Sequence, residues 1–352
     1  MNKNIKLGKH SVGDDHPPFV IAEMSGNHQH SLDRAFQLID AAGTAQVHAL
    51  KIQTFTADTM TLNLSQAEFV INDPKSLWHG RSLYDLYEEA HTPWDWHKPL
   101  QERCHKNGLE FFSTPFDATA VAFLEKLNVP FYKIASFENT DIPLIRAVAQ
   151  TGKPVIISLG MASEAEIEDI VSLFQKEKND QLILLKCTSA YPAKVEDANL
   201  LTIPELKKRY GVLVGLSDHT LGLAVPLAAV ALGACVIEKH FTLDRNDGGV
   251  DAAFSLEPHE LSLLKQESER AFKALGQVHF GPKGEEAKSL QFRRSLYITK
   301  DLPKGHVLQP GDFRAIRPGF GLSPKYADEL LGKTLLKDVK TGTALSRDFL
   351  SE

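Results

Sequence analysis

The sequence predicts a (β/α)8 TIM barrel, of α/β class, followed by a small β-rich domain, and three observations carry that reading. Eight short, nearly continuous apolar runs recur between residues 19 and 240, as they do in strands covered on both faces. Helix-length amphipathic stretches fill most of the intervals, the alternation that lays helices over a parallel sheet. From about residue 291 the rhythm gives way to short runs between Pro and Gly turns. Eight units over roughly 250 residues suit a barrel better than an open doubly wound sheet. No GxGxxG follows any run, which weakens a dinucleotide-binding reading.

In order, the runs are Phe19–Met24 (FVIAEM), Ala49–Gln53 (ALKIQ), Leu109–Thr114 (LEFFST) and Phe131–Ser136 (FYKIAS). Val155–Leu159 (VIISL), Leu182–Thr188 (LILLKCT), Val212–Ser217 (VLVGLS) and Cys235–His240 (CVIEKH) complete the eight. Between them, helices are expected over Ser31–Ala45 and Ser163–Gln175, the second opened by Ser163 and Glu166 as a capping box. Thr54–Trp96 is longer than a barrel connection requires and holds Trp78, Trp94 and Trp96. It reads as an ordered insertion over one end, either a packing excursion or part of a site. The barrel domain is expected over 1–275, with an N-terminal segment at 1–18. A Gly-rich, charged linker follows at 276–290, and 291–352 forms the β-rich domain.

Composition bounds the function. Of 352 residues, 39 are Lys or Arg and 45 Asp or Glu, a net charge of -6, with no basic stripe for nucleic acid or an anionic membrane. Neither is expected as a partner. The three cysteines, Cys104, Cys187 and Cys235, include no CxxC pair, which suits reduced thiols in the cytoplasm. The N-terminus lacks the apolar core of a signal peptide, and no apolar run approaches the ~20 residues of a membrane helix.

Barrel enzymes keep their chemistry at the C-terminal ends of the strands, and here every run ends in polar groups. The first ends at Glu23, the second carries Lys51 and Gln53, and the third ends at Thr114. Lys133 and Ser136, with Glu138 beyond, close the fourth, and Ser158 the fifth. Lys186 lies on the sixth with Ser189 and Tyr191 after it, Ser217, Asp218 and His219 end the seventh, and Glu238 and His240 the eighth. Buried unpaired charge costs several kcal/mol, so eight agreeing strand ends point to a polar catalytic mouth. Lys51 and Lys133 beside several serines suit phosphate and carboxylate. His219 and His240, on adjacent strands, can share a divalent ion or form a structural pair. Glu23, Glu138, Asp218 and Glu238 can orient water, act as base or stabilise a developing cation. Cys187 and Cys235 read as core residues.

The strings IAEMSGNH, ALKIQTFTAD, KIASFENTDIPLI, LLKCTSAYP, GLSDHTLG and IEKHFTLDR resemble the sialic acid synthases, which condense phosphoenolpyruvate with an N-acetylated sugar. The C-terminal RRSLYITKDLPKGHVL and IRPGFGLSP resemble the antifreeze-like (SAF) domain of those enzymes. Within the family the likeness is to the pseudaminic acid synthases. DGGVDAAFSLEP replaces a more polar loop and supplies Phe254 near the expected sugar site, which suits a 6-deoxy, diacetamido sugar. N-acetylneuraminate or legionaminate synthesis by the same mechanism is the alternative.

The resemblance implies phosphoenolpyruvate on Lys51, Lys133, Ser136, Ser158 and Ser217, and a divalent metal (Mn²⁺ or Mg²⁺, or Co²⁺) on His219 and His240. It sets Glu23, Gln53, Glu138 and Tyr191 at the reacting centre, with Ser189 nearby. It also implies a domain-swapped homodimer in which Arg317 reaches the partner's barrel. Two rivals stand beside it. A Schiff-base aldolase would use Lys133 or Lys186 as nucleophile without a metal, and a non-catalytic sugar-binding protein would rarely need so many strand-end charges.

Overall fold

The structure, a computed structural model, describes residues 4–351, so the first three residues of the expected N-terminal segment lie outside the described residues. The chain divides into two compact units, one ending at Gly276 and the other beginning at Gln277. The first opens with a hairpin that the sequence reading did not anticipate. Strands β1 (Asn4–Leu7) and β2 (His10–Gly13) pair antiparallel, with Leu7 opposite His10. Gly8 makes the turn at φ +60°, where a Cβ would fall 2.1 Å from the Glu110 carboxyl carbon. Glycine takes that conformation without strain and leaves the Glu110 carboxyl its place.

Eight parallel strands then close the barrel. They are β3 (Phe19–Glu23), β4 (Ala49–Thr54), β5 (Glu110–Pro115) and β6 (Tyr132–Ile134), followed by β7 (Val155–Ser158), β8 (Leu182–Cys187), β9 (Leu213–Asp218) and β10 (Val236–His240). Consecutive strands are neighbours, and β10 pairs with both β9 and β3 to shut the ring.

Side chains of a strand alternate between its faces, and in this barrel the alternation separates two cores. Val20, Ala22, Leu50, Ile52, Val214 and Ile237 point outward and pack under the helices. Phe19, Ile21, Phe112, Phe131, Ile183 and Val236 point inward, where Ile5, Leu7 and Val12 of the hairpin join them. The hairpin therefore plugs the N-terminal end of the barrel. Each fully buried aliphatic or aromatic side chain contributes on the order of 1.5–3 kcal/mol.

The helices begin where their caps dictate. Ser31 accepts the Arg34 amide at 3.2 Å and opens the helix Leu32–Thr44. Ser163 and Glu166 form the expected capping box on Glu164–Lys176. The 54–96 insertion is ordered. It holds helices Ala57–Met60 and Leu83–Ala90 and a bridge between Val70 and Ser82.

The second unit is small and β-rich. Strands β11 (Ser295–Ile298) and β12 (Phe313–Ile316) pair antiparallel, and single bridges such as Leu302 with Val339 extend the pairing. Leu296, Ile298, Leu302, Leu308 and Leu345 make its core. Among the described residues no helix is long and apolar enough to cross a membrane.

Candidate active site

The inward face that is apolar at the bottom of the barrel turns polar at the top. Moving two residues up each strand takes Ile21 to Glu23, Ala49 to Lys51 and then Gln53, Phe131 to Lys133, and Val236 to Glu238 and then His240. These side chains line a cavity of about 360 Å³ at the C-terminal end.

Its floor is an ion network. Lys51 Nζ lies 2.9 Å from Glu23 Oε2 and 3.6 Å from Glu238 Oε1, and Lys133 Nζ lies 3.7 Å from that same Glu238 oxygen. Lys133 also donates to Ser158 Oγ at 2.6 Å, and Gln53 donates to Glu23 Oε1 at 2.9 Å and to Ser25 Oγ at 3.0 Å. Two ammoniums and two carboxylates cancel in net charge, which is how four ionisable groups tolerate burial. Burial pushes the Glu23 carboxyl above its usual range, with Lys51 pulling the other way. For Glu238 burial also acts upward, but Lys133 and Lys51 together override it and hold its carboxyl low. Burial depresses Lys133, and in Lys51 the carboxylates outweigh the same effect.

The rim adds hydroxyls, imidazoles and carboxyls. Ser189 Oγ donates to Ser136 Oγ at 2.7 Å. Gly160 packs beneath both at φ +48°, where a Cβ would come 2.5 Å from Ser136 Cβ. Glu138 is half-buried with a buried, unpartnered Oε2, and desolvation of the carboxyl raises it to about 7 against a smaller opposing pull from Lys133. His219 and His240 stand with ring centroids 5.3 Å apart. His219 Nδ1 lies 2.8 Å from the Thr188 carbonyl, so it carries the hydrogen, and the ring also meets the Cys187 thiol. His240 Nδ1 is buried without a hydrogen-bond partner, with Asp251 Oδ2 3.7 Å away. The Tyr191 ring covers His219 at 4.5 Å between centroids.

Most of the expected site residues meet in this cavity, but of those in the barrel Asp218, Thr114 and Phe254 do not line it. Asp218 has the outward parity of Val214 and Leu216, and there it pairs with the fully buried Lys239 at 2.8 Å. Thr114 points inward without lining the cavity and accepts the Lys51 ammonium at 3.2 Å, so it positions the lysine. Phe254 forms no sugar wall. Its ring is 1% exposed and packs edge-on to His240 at 4.9 Å. Arg317 belongs to the second unit, just after β12. Lys186 shares the outward parity of Leu182 and Leu184 and donates to the Cys187 carbonyl at 2.8 Å.

The sequence reading assigned no site role to Ser25, Asp251 or Cys187, and it left the 54–96 insertion open between packing and a site. Ser25 and Asp251 line the cavity, and Asp251 was visible in the VDAAF string as an acid between the last strand and helix. Cys187 is buried as expected, yet it faces the cavity. Its parity with Ile183 and Leu185 was the available signal. The insertion supplies a whole apolar wall, from Phe55 to Ala90.

A divalent ion fits the histidine pair, because an unpartnered buried imidazole nitrogen faces a nearby carboxylate and a second imidazole. Among the described residues no cluster of three or more His, Cys, Asp or Glu converges, so such an ion would keep most of its coordination for water and substrate.

Comparison with known proteins gives this cavity its family. Residues 38–280 match the NeuB family, and 293–351 match the SAF domain. The chain belongs to the NeuB family. This NeuB chain is 44% identical to the pseudaminic acid synthase of Campylobacter jejuni over 94% of its own length and 96% of the relative's. It is 42% identical to that of Helicobacter pylori, covering 94% and 97%. Its fold matches the crystal structure of an N-acetylneuraminic acid synthetase from Leptospira borgpetersenii serovar Hardjo-bovis bound to citrate. That match has a TM-score of 0.73 and 37% identity, covering 82% of this chain and 96% of that one.

Proposed function

We propose that this NeuB-family enzyme condenses phosphoenolpyruvate with 2,4-diacetamido-2,4,6-trideoxy-altrose and water to give pseudaminate and phosphate. The observation that carries the reading is identity of 44% and 42% to two pseudaminic acid synthases over nearly the whole chain.

The site's chemistry supports it. Lys51 and Lys133, with Ser136, Ser158 and Ser217, hold the phosphate and carboxylate of phosphoenolpyruvate in register. An arriving anion upsets the balance of the floor, and Glu23, whose proton affinity burial raises, takes up a proton so that both cations serve the substrate. Phosphoenolpyruvate C3 then attacks the aldehyde carbon of the open-chain sugar, whose C=O electron pair moves to oxygen and becomes a hydroxyl by taking up a proton from solvent. The cation that develops at C2 lies near carboxylates such as Glu138 and Glu238. Water adds at C2, passing its proton to Glu138, and the tetrahedral intermediate expels phosphate by C–O cleavage. A divalent ion (Mn²⁺, Mg²⁺ or Co²⁺) on His219 and His240 supplies Lewis-acid polarisation of the aldehyde when bound. Three free, buried cysteines support a cytoplasmic setting.

The test is phosphate release from phosphoenolpyruvate with a panel of acetamido sugars. The trideoxy sugar is expected to be the best acceptor, and ¹⁸O in the bridging C–O–P oxygen should leave with phosphate. Label retained in the sugar product overturns the scheme, and equal specificity for N-acetylmannosamine reassigns the substrate. Exhaustive chelation should abolish turnover. Activity that survives it removes the metal.

A further inference from the structure

The cavity has two unlike sides. The barrel contributes its charges and hydroxyls, while the facing wall comes from the 54–96 insertion and is apolar, with Met60, Ile71, Trp78 and Leu83 among its members. A mere packing excursion would bury such side chains. Met60, Ile71 and Leu83 instead remain partly exposed where they face the cavity.

The wall is also held in place. Ile71 exchanges backbone hydrogen bonds with the turn that follows it, its amide donating to the Arg81 carbonyl at 2.9 Å and its carbonyl accepting the Gly80 amide at 2.8 Å. Trp78 Nε1 donates to the Val250 carbonyl at 3.0 Å, tying the insertion to the loop after β10. That bond uses the indole's one donor, and Met60, Ile71 and Leu83 have no hydrogen-bonding hydrogen to offer. A sugar hydroxyl brought against these three side chains loses water and gains nothing, whereas a methyl group gains contact.

We propose that Met60, Ile71 and Leu83 select the sugar by packing against its C6 methyl and acetamido methyl groups, and so discriminate against acceptors that carry a hydroxyl at C6. This rests on the acceptor named under Proposed function and relocates the specificity wall from Phe254 to the insertion. Leaving a hydroxyl unpaired in such a wall is worth roughly ten- to a hundredfold in specificity constant.

The experiment compares wild type with Ile71→Thr and Met60→Gln, which put hydrogen-bonding groups at two partly exposed apolar positions. For each, kcat/KM is measured for 2,4-diacetamido-2,4,6-trideoxy-altrose and for N-acetylmannosamine, together with KM for phosphoenolpyruvate. The expected result is a fall of about tenfold or more in the preference for the trideoxy sugar, with KM for phosphoenolpyruvate unchanged. The unchanged KM also shows that the barrel is intact. If wild type uses the trideoxy sugar and both variants keep its preference, the wall has no part in selection and the assigned reaction stands. Loss confined to phosphoenolpyruvate binding overturns the proposal equally. If wild type does not use the trideoxy sugar at all, the assigned reaction fails and this inference falls with it.

Discussion

Glu138 shows how one residue's surroundings set its chemistry. One of its oxygens is buried without a partner, and its carboxyl is raised to about 7, mainly because burial disfavours the charge. A base must be ionised to accept a proton, so the active fraction falls as pH drops below that value. We expect kcat/KM to decline on the acid side of neutrality. Glu138→Gln should lose on the order of 10²–10⁴-fold in rate and flatten that limb. A Gln variant that keeps the wild-type pH profile assigns the proton to another group. The same shift has a sign for stability. A carboxyl raised in the folded state favours folding less and less as pH rises from the ordinary carboxylate range through about 7. Glu138→Gln should therefore melt no lower than wild type at pH 8. The inward parity of Lys51 and Lys133 was legible in the sequence, and so was the outward parity of Asp218. Which lysine touches which carboxylate was not: Glu23 and Lys51 face each other on the neighbouring strands β3 and β4, but Glu238 on β10 meets Lys51 and Lys133 only because the ring closes.

At the level of elements, β9 and β10 carry the two histidines of the rim, and the Asp218–Lys239 pair joins these strands on their outer side. Lys239 Nζ also donates to the Thr220 carbonyl. Removing one partner strands a buried charge, so Lys239→Met should cost about 3–5 kcal/mol in urea unfolding, while Asp218→Leu with Lys239→Met should recover most of it. A single-variant cost near zero would show that the charges are solvated. In the second unit the buried Asp312 accepts the Gln309 amide at 2.8 Å and meets His306 at 2.6 Å and Lys300 at 2.8 Å. Burial acts to raise its carboxyl, but Lys300 and His306 prevail and hold it at about 2. A depressed carboxyl contributes stability at neutral pH that is lost as pH falls from the ordinary Asp value through about 2. Asp312→Ala should lower protection of the Leu296 and Ile298 amides in hydrogen exchange of the full chain at pH 7, by about 1–3 kcal/mol. The difference should shrink towards pH 3. Unchanged protection at neutral pH would remove Asp312 from the core of that unit.

On the scale of the whole molecule, the chain has two units, and the expectation from sequence that Arg317 of one copy completes the barrel site of another is open to a mixing test. Inactive Arg317→Ala subunits mixed with inactive Lys51→Ala subunits should then regain part of the activity, because one composite site in each heterodimer is intact. No recovery under demonstrated subunit exchange would mean that Arg317 acts within its own chain or not at all. Arg317→Ala alone should weaken sugar use by about 2–4 kcal/mol of transition-state stabilisation and leave phosphoenolpyruvate binding nearly unchanged.

The sequence by itself determined the barrel, its eight strands to within a residue or two at most ends, the capped helices, and the strand-end groups that make the mouth polar. Those features are local. Apolar runs, caps and period-two parity are properties of neighbouring residues, and they survive without knowledge of the rest of the chain. Tertiary structure decided what depends on distant segments meeting. The hairpin of residues 4–13 became a plug only because Ile5, Leu7 and Val12 meet the lower barrel core. Phe254 withdrew from the cavity because His240 and Tyr191 cover it. Asp251 came within 3.7 Å of His240, and the insertion, ambiguous as sequence, became the apolar wall of the site. Strand parity tells which face a side chain leaves from. Only the closing of the ring and the folding of long loops over its mouth decide what it finds there.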